Sequence, residues 1–150
     1  MRDNEIDGAA ELISRLKKLN GEFDPLLKIS DKIEVESRRA VKEANLDPKY
    51  VILVAMSGVK LVGVVKGVLR DRVFYEPRKE GAIIEFYIMP EFRRGNLGKQ
   101  LFDSMVAALE KKGAELVTAE FPSQNEIAKK FYSKLGFRSV TNVYAKASNP

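Results

Sequence analysis

The sequence predicts one α/β domain of mixed type, a sheet flanked by helices. Three observations lead there. The chain opens on two stretches of helical spacing, continues with two strand patterns joined by a tight turn, and finishes with strand and helix patterns in alternation. At 150 residues, with 45% hydrophobic and 31% charged side chains, it is long enough for a single soluble domain with a real core. No repeat, low-complexity tract or long linker divides it, so residues 1–150 read as one domain.

Each element has its own signal. Residues 4–19 carry Ile6, Ala9, Ala10, Ile13 and Leu16 at helical spacing, with Asn20-Gly21 as the expected stop. Asp24-Pro25 opens a loop. Ser30 is placed to cap a second helix that carries Ile33, Ser37, Ala40, Val41 and Ala44 on one side and ends before Asp47-Pro48. Residues 50–56 and 60–69 are rich in Val, Ile and Leu, and Ser57-Gly58-Val59 between them predicts a hairpin. A longer loop leads to a strand over 83–89. Leu97, Leu101, Met105 and Ala108 form the stripe of a third helix, which Gly113 terminates. A strand over 115–121 follows and, across one helix, is expected to pair parallel with the strand over 83–89. Ser123-Gln-Asn-Glu126 reads as a capping box for a fourth helix bearing Ile127, Ala128, Phe131, Tyr132 and Leu135, ended by Gly136. A last strand is expected over 138–145.

Composition excludes several chemistries. The chain has no Cys and no His, which removes thiolate nucleophiles, Ser-His-Asp triads and ordinary zinc sites, and no metal is expected. The absence of a disulfide framework predicts a cytoplasmic protein. No apolar run approaches the roughly 20 residues of a membrane helix, so no membrane partner is expected. The net charge of +5 suits polyanions in general, but the basic residues are interleaved with 21 acids and form no aromatic-studded patch, which argues against nucleic acid.

Basic residues do gather at one turn. After the apolar strand and Met89-Pro90 comes Glu-Phe-Arg93-Arg94-Gly95-Asn96-Leu97-Gly98-Lys99, leading into the third helix. A strand-to-helix turn offers unpaired backbone N–H groups and a positive helix end, so this one predicts a site for an anion, phosphate above all. Gly95 and Gly98 stand too close for a P-loop and are one glycine short of a dinucleotide fingerprint.

The turn resembles the acyl-CoA pyrophosphate loop of the GNAT family of N-acetyltransferases, Arg/Gln-x-x-Gly-x-Gly/Ala, with Asn96 in place of the first glycine. Asn125-Glu-Ile-Ala128-Lys-Lys-Phe131-Tyr132-Ser-Lys-Leu-Gly136-Phe137 resembles the family's other signature, Asn-x-x-Ala-x-x-Phe-Tyr-x-x-x-Gly-Phe, at every named position. The resemblance covers residues 83–137. It implies a mostly antiparallel twisted sheet, helices on both faces, and a parallel strand pair (83–89 and 115–121) that splays to admit pantetheine. It further implies acetyl-CoA as cosubstrate, an amine acceptor as second partner, and a homodimer, since the family is often dimeric. Its pyrophosphate contacts fall on Arg93, Arg94, Gly95, Asn96, Leu97, Gly98 and Lys99. Free backbone groups at Ile88 and Met89 and the side chain of Asn125 would meet pantetheine, and Tyr132 would lie by the thioester sulfur. Asn96 fits the turn if it adopts a left-handed conformation, which Asn tolerates.

Acetyl transfer to an amine needs a base, an oxyanion donor and an acid for the departing thiolate. Glu85, an acid within an apolar strand, is the candidate base, directly or through water; it also reads as a Glu on a solvated sheet face or one paired with Arg or Lys. Alternation puts Glu85 and Tyr87 on one face, with Ile84, Phe86 and Ile88 on the other. Backbone N–H at Ile88 or Met89 would hold the oxyanion, and Tyr132 is the candidate acid, which also reads as a half-buried Tyr packing beneath Phe137 at the helix end. Without cysteine, direct attack in a ternary complex is the expected route. A module of the same fold that binds acyl-CoA without turnover is the alternative.

Overall fold

The computed structural model describes residues 1–148. Helix α1, Asp3–Phe23, buries Ile6, Ala9, Ala10, Ile13 and Leu16, the stripe that the spacing predicts. It does not stop at Asn20-Gly21. A Cβ on Gly21 would come within 3.1 Å of the Leu27 carbonyl oxygen, so this glycine allows the following 3-10 turn, Pro25–Leu27, to fold back closely. The helix ends instead at Asp24, held extended (φ −157°) as a residue before proline prefers. Helix α2, Ile33–Leu46, buries Ser37, Val41 and Ala44. Ser30 is not its N-cap: its Oγ accepts from the Lys32 N–H at 2.9 Å in a turn just before the helix, and Lys32 holds the cap position.

Strands β1 (Tyr50–Ser57) and β2 (Lys60–Asp71) form the predicted hairpin, turning on Gly58 at φ +61°. Strands β3 (Lys79–Ile88) and β4 (Leu116–Ala119) complete a four-stranded sheet in the order β1-β2-β3-β4. The first two pairings are antiparallel and the last is parallel. Helix α3, Leu97–Lys111, links the parallel pair, and α4, Glu126–Lys134, follows it. The two faces of the sheet carry different helices. On β2, a Cβ at Gly63 would come within 3.4 Å of Leu101 Cδ2 and one at Gly67 within 2.9 Å of Met105 Sδ, so these glycines let α3 lie close. The side chains that alternate with them, Val62, Val64 and Lys66, take the opposite face, toward α1 and α2.

Two expectations about the C-terminal part fail. The cap of α4 is Asn125, whose Oδ1 accepts from the Ala128 N–H at 3.1 Å, not Ser123. The stretch 138–145 forms no strand. Val140, Val143 and Tyr144 favour β structure, yet they are 70%, 96% and 92% exposed. Strand propensity describes fit to a pleated, half-buried surface, and this segment meets none.

Candidate active site

The site begins with a defect in β3. Lys66 pairs with Glu85 and Gly67 with Ile83, so Ile84 is an extra residue on β3, a β-bulge. The parallel ladder to β4 ends at the same level: its last pair is Ile83 with Ala119, and the last backbone bond runs from Glu120 N–H to the Ile83 carbonyl at 3.0 Å. Past the bulge, β3 continues along β2 without β4, which opens a gap in the sheet.

Backbone groups at this gap divide unevenly. The Met89 N–H donates to the Val62 carbonyl at 2.9 Å and the Met89 carbonyl accepts from Phe92 N–H at 2.9 Å, so neither is free, contrary to the sequence-based expectation. The reason is register: Met89 faces β2, and Ile88, one residue earlier, faces the gap. The Ile88 carbonyl accepts from Arg93 Nε at 2.7 Å, which leaves its N–H as the group directed at the gap.

Pro90–Phe92 form a 3-10 turn that carries the chain from β3 toward α3. Arg93, besides bonding Ile88, lies with its guanidinium 5.1 Å from the Tyr87 ring centroid, so it braces the turn. Asn96 sits at the N-cap of α3 with φ −91° and ψ 9°. The left-handed conformation expected of it is absent: this turn enters the helix through the bridge region, which Asn adopts without strain. Its side chain caps nothing, and the first helical backbone bond runs from Gln100 N–H to the Asn96 carbonyl at 3.0 Å. The N–H groups of Leu97, Gly98 and Lys99 therefore point out of the helix end without intrahelical acceptors. A Cβ at Gly95 or Gly98 would meet no protein atom within 4 Å. The Lys99 ammonium is turned along α3 to Asp103, at 2.7 and 2.9 Å, and Arg94 is exposed.

Tyr132 stands on the α3–α4 side. Its ring stacks on Phe121, two residues past β4, at 5.3 Å and 8°, with Phe102, Phe131 and Phe137 edge-on around it. The residue is 7% exposed, and burial pushes its phenol well above the usual value. Phe131 meets Phe86 of β3 edge-to-face at 5.8 Å, which ties α4 to the strand at the gap. Asn125 uses its Oδ1 for the cap and keeps its amide N–H groups for another partner.

Glu85 lies on the other side of the sheet, toward α1. Its side chain is 12% exposed, with Oε1 bonded to Lys17 Nζ at 2.6 Å and Oε2 buried without a partner. The sequence-based alternative, an acid paired with a lysine, is thus present together with an unused carboxylate oxygen. Sequence reasoning misses Lys17 because it lies 68 residues away on an exposed-looking helix face; no local signal marks it. Among the described residues no group of His, Cys, Asp and Glu is arranged to hold a metal ion, and no helix is long and apolar enough to cross a membrane.

This arrangement, a gapped mixed sheet with an uncapped helix end beside the gap, recurs in known proteins. The chain belongs to the GNAT acetyltransferase family, whose model, described as "Acetyltransferase (GNAT) family", matches residues 16–137. The aminoglycoside N-acetyltransferase AAC(6')-Iy, solved in complex with CoA, superposes with a TM-score of 0.80 at 16% identity, covering 100% of this chain and 92% of that one. The apo aminoglycoside 6'-N-acetyltransferase AAC(6')-IG from Acinetobacter haemolyticus gives 0.78 at 15% identity, covering 100% and 96%. A transcriptional regulator from Bacillus halodurans C-125 gives 0.76 at 18% identity, covering 98% and 95%. At such identities these are likenesses of fold.

Proposed function

We propose that the protein is an acetyl-CoA-dependent N-acetyltransferase that moves the acetyl group to a primary amine by direct attack in a ternary complex. The observation that carries this reading is the coincidence of the Ile84 bulge, the end of the β3–β4 ladder and the uncapped N-terminus of α3. The cosubstrate approaches from the α3–α4 side. Its pyrophosphate lies against the N–H groups of Leu97, Gly98 and Lys99, where the two glycines leave room for close approach. Arg94 adds charge, and pantetheine runs into the gap past Asn125 and the Ile88 N–H.

The acceptor approaches from the α1 side, toward Glu85. A free primary amine of pKa about 10.4 lies roughly 3 units above neutrality, so deprotonating it costs about 4 kcal/mol at pH 7. Glu85 Oε2, directly or through one water, takes that proton. The amine nitrogen then attacks the thioester carbon, and the Ile88 N–H is the donor available to the oxyanion. The Met89 N–H, bonded to Val62, is not. Collapse breaks the carbon–sulfur bond, and Tyr132 gives its proton to the thiolate. Burial weakens Tyr132 as an acid, and dry surroundings also disfavour the departing thiolate as an anion, which raises its need for a proton.

Calorimetric titration with CoA tests the cosubstrate. Saturable binding that Arg94→Ala weakens is expected; no heat at millimolar CoA would contradict the reading.

A further inference from the structure

Glu85 has a second cationic neighbour. Lys66 stands directly across from it on β2, on the same face of the sheet. Its ammonium lies 5.1 Å from the Tyr50 ring centroid, a contact that satisfies the cation electrostatically and uses no specific N–H acceptor. Among the described residues Lys66 makes no ion pair and no side-chain hydrogen bond. Burial pushes its pKa down, opposed by the charge of Glu85, reinforced by that of Lys17 and opposed again by Glu43. Glu43 is exposed on α2 and does not reach hydrogen-bond distance. A buried carboxylate oxygen with no donor is costly, and a half-buried ammonium without a counter-ion is less stable than one with it. This face therefore holds a buried carboxylate oxygen without a donor, Glu85 Oε2, one strand away from a lysine without an ion pair, Lys66, with Lys17 on the other carboxylate oxygen.

We infer that the acceptor is an amine whose own molecule carries an anionic group, of the amino-acid type, with its amine directed to Glu85 and its carboxylate to Lys66. This rests on the acetyl-transfer reading above. Such a zwitterion gives Glu85 Oε2 a donor and Lys66 a counter-ion at once. A polyamine satisfies only Glu85 and brings further ammonium groups against Lys17 and Lys66, a like-charge approach that the patch opposes.

The test uses the full chain with saturating acetyl-CoA, following CoA release with the twenty free amino acids, their C-terminal amides, and the polyamine spermidine. At least one free amino acid should exceed its own amide, and spermidine, by about tenfold or more in kcat/KM, the change expected when one charge-assisted hydrogen bond is removed. Lys66→Gln should shrink that acid-to-amide ratio through a raised KM for the acid, and Lys66→Arg should preserve it. Amides or spermidine matching the acids, no turnover with any free amino acid, or a ratio that Lys66→Gln leaves unaltered would each overturn the inference. These results are separable from failure of the acetyl-transfer reading: spermidine turnover with intact CoA binding removes only the acceptor class, whereas absence of CoA binding removes the reading itself.

Discussion

Replacing Gly98 by alanine should move fold stability and CoA affinity in opposite directions. Gly98 occupies the first turn of α3 with no left-handed φ, and a Cβ there meets nothing within 4 Å. The protein itself gives no steric reason for glycine. Alanine in a helix is favoured over glycine by about 0.5–1 kcal/mol. For a domain of this size that corresponds to a rise of roughly 1–4 °C in Tm. A pyrophosphate lying on the helix end, however, would meet the new methyl group and be pushed away from the N–H donors. Breaking one such charge-assisted hydrogen bond costs about 1.5–3 kcal/mol, or roughly 10–150-fold in Kd. Differential scanning calorimetry without ligand and isothermal titration with CoA measure the two quantities on one preparation. Unchanged CoA affinity with a raised Tm would take the pyrophosphate away from this helix end. A lowered Tm would show that the fold, not a ligand, requires the glycine.

Other perturbations separate bracing from binding and the acid from the base. Arg93→Ala removes the bond to the Ile88 carbonyl and the stacking on Tyr87, so thermal denaturation should show a loss of about 1–2 kcal/mol; Lys99→Ala removes only an exposed i,i+4 pair with Asp103 and should cost no more than about 0.5 kcal/mol. Tyr132→Phe keeps the ring stacked on Phe121 but should lower kcat about 10²-fold with little change in CoA affinity, read from steady-state kinetics and titration. Burial raises the Tyr132 phenol in the folded state, so the unfolded chain loses that proton first; stability is fully present below pH about 10 and should decline above it, and Tyr132→Phe should lack that part of the decline in alkaline denaturation curves. Glu85→Gln should lower the rate most near neutrality and recover partly as pH rises and the amine deprotonates unaided; pH–rate profiles identical to wild type would exclude Glu85 as the base.

What is legible in the sequence is what local pattern determines. The stripes of Ile6 to Leu16 and Leu97 to Met105, the Gly58 turn and the Gly113 and Gly136 stops each follow from spacing or from one residue's conformational freedom. What escapes depends on partners. Asn20-Gly21 looks like a helix stop, but Gly21 answers to the Leu27 carbonyl. Residues 138–145 have strand-forming side chains, but no neighbouring strand pairs with them. Ser123 and Asn125 both suit an N-cap, and the backbone puts Asn125 opposite the Ala128 N–H. The bulge at Ile84 leaves no trace in an apolar run, yet it decides that Ile88 faces the gap and Met89 does not. Glu85 is visible as an anomaly because a charge in an apolar strand demands an explanation. Lys17 is not, since a lysine on α1 looks like a surface residue until the fold brings it to that carboxylate, and the place of Lys66 across from Glu85 depends on the strand register.

The most direct test of the central claim is paired quantification of free CoA thiol and N-acetylated acceptor in a single reaction containing acetyl-CoA and a panel of primary amines. Acetyl transfer in a ternary complex predicts amine-dependent thiol release, matched one for one by acetylated amine and depressed in Glu85→Gln at neutral pH. CoA bound with ordinary affinity but released at no greater rate with any amine than without would contradict the enzyme reading and leave a module that binds acyl-CoA.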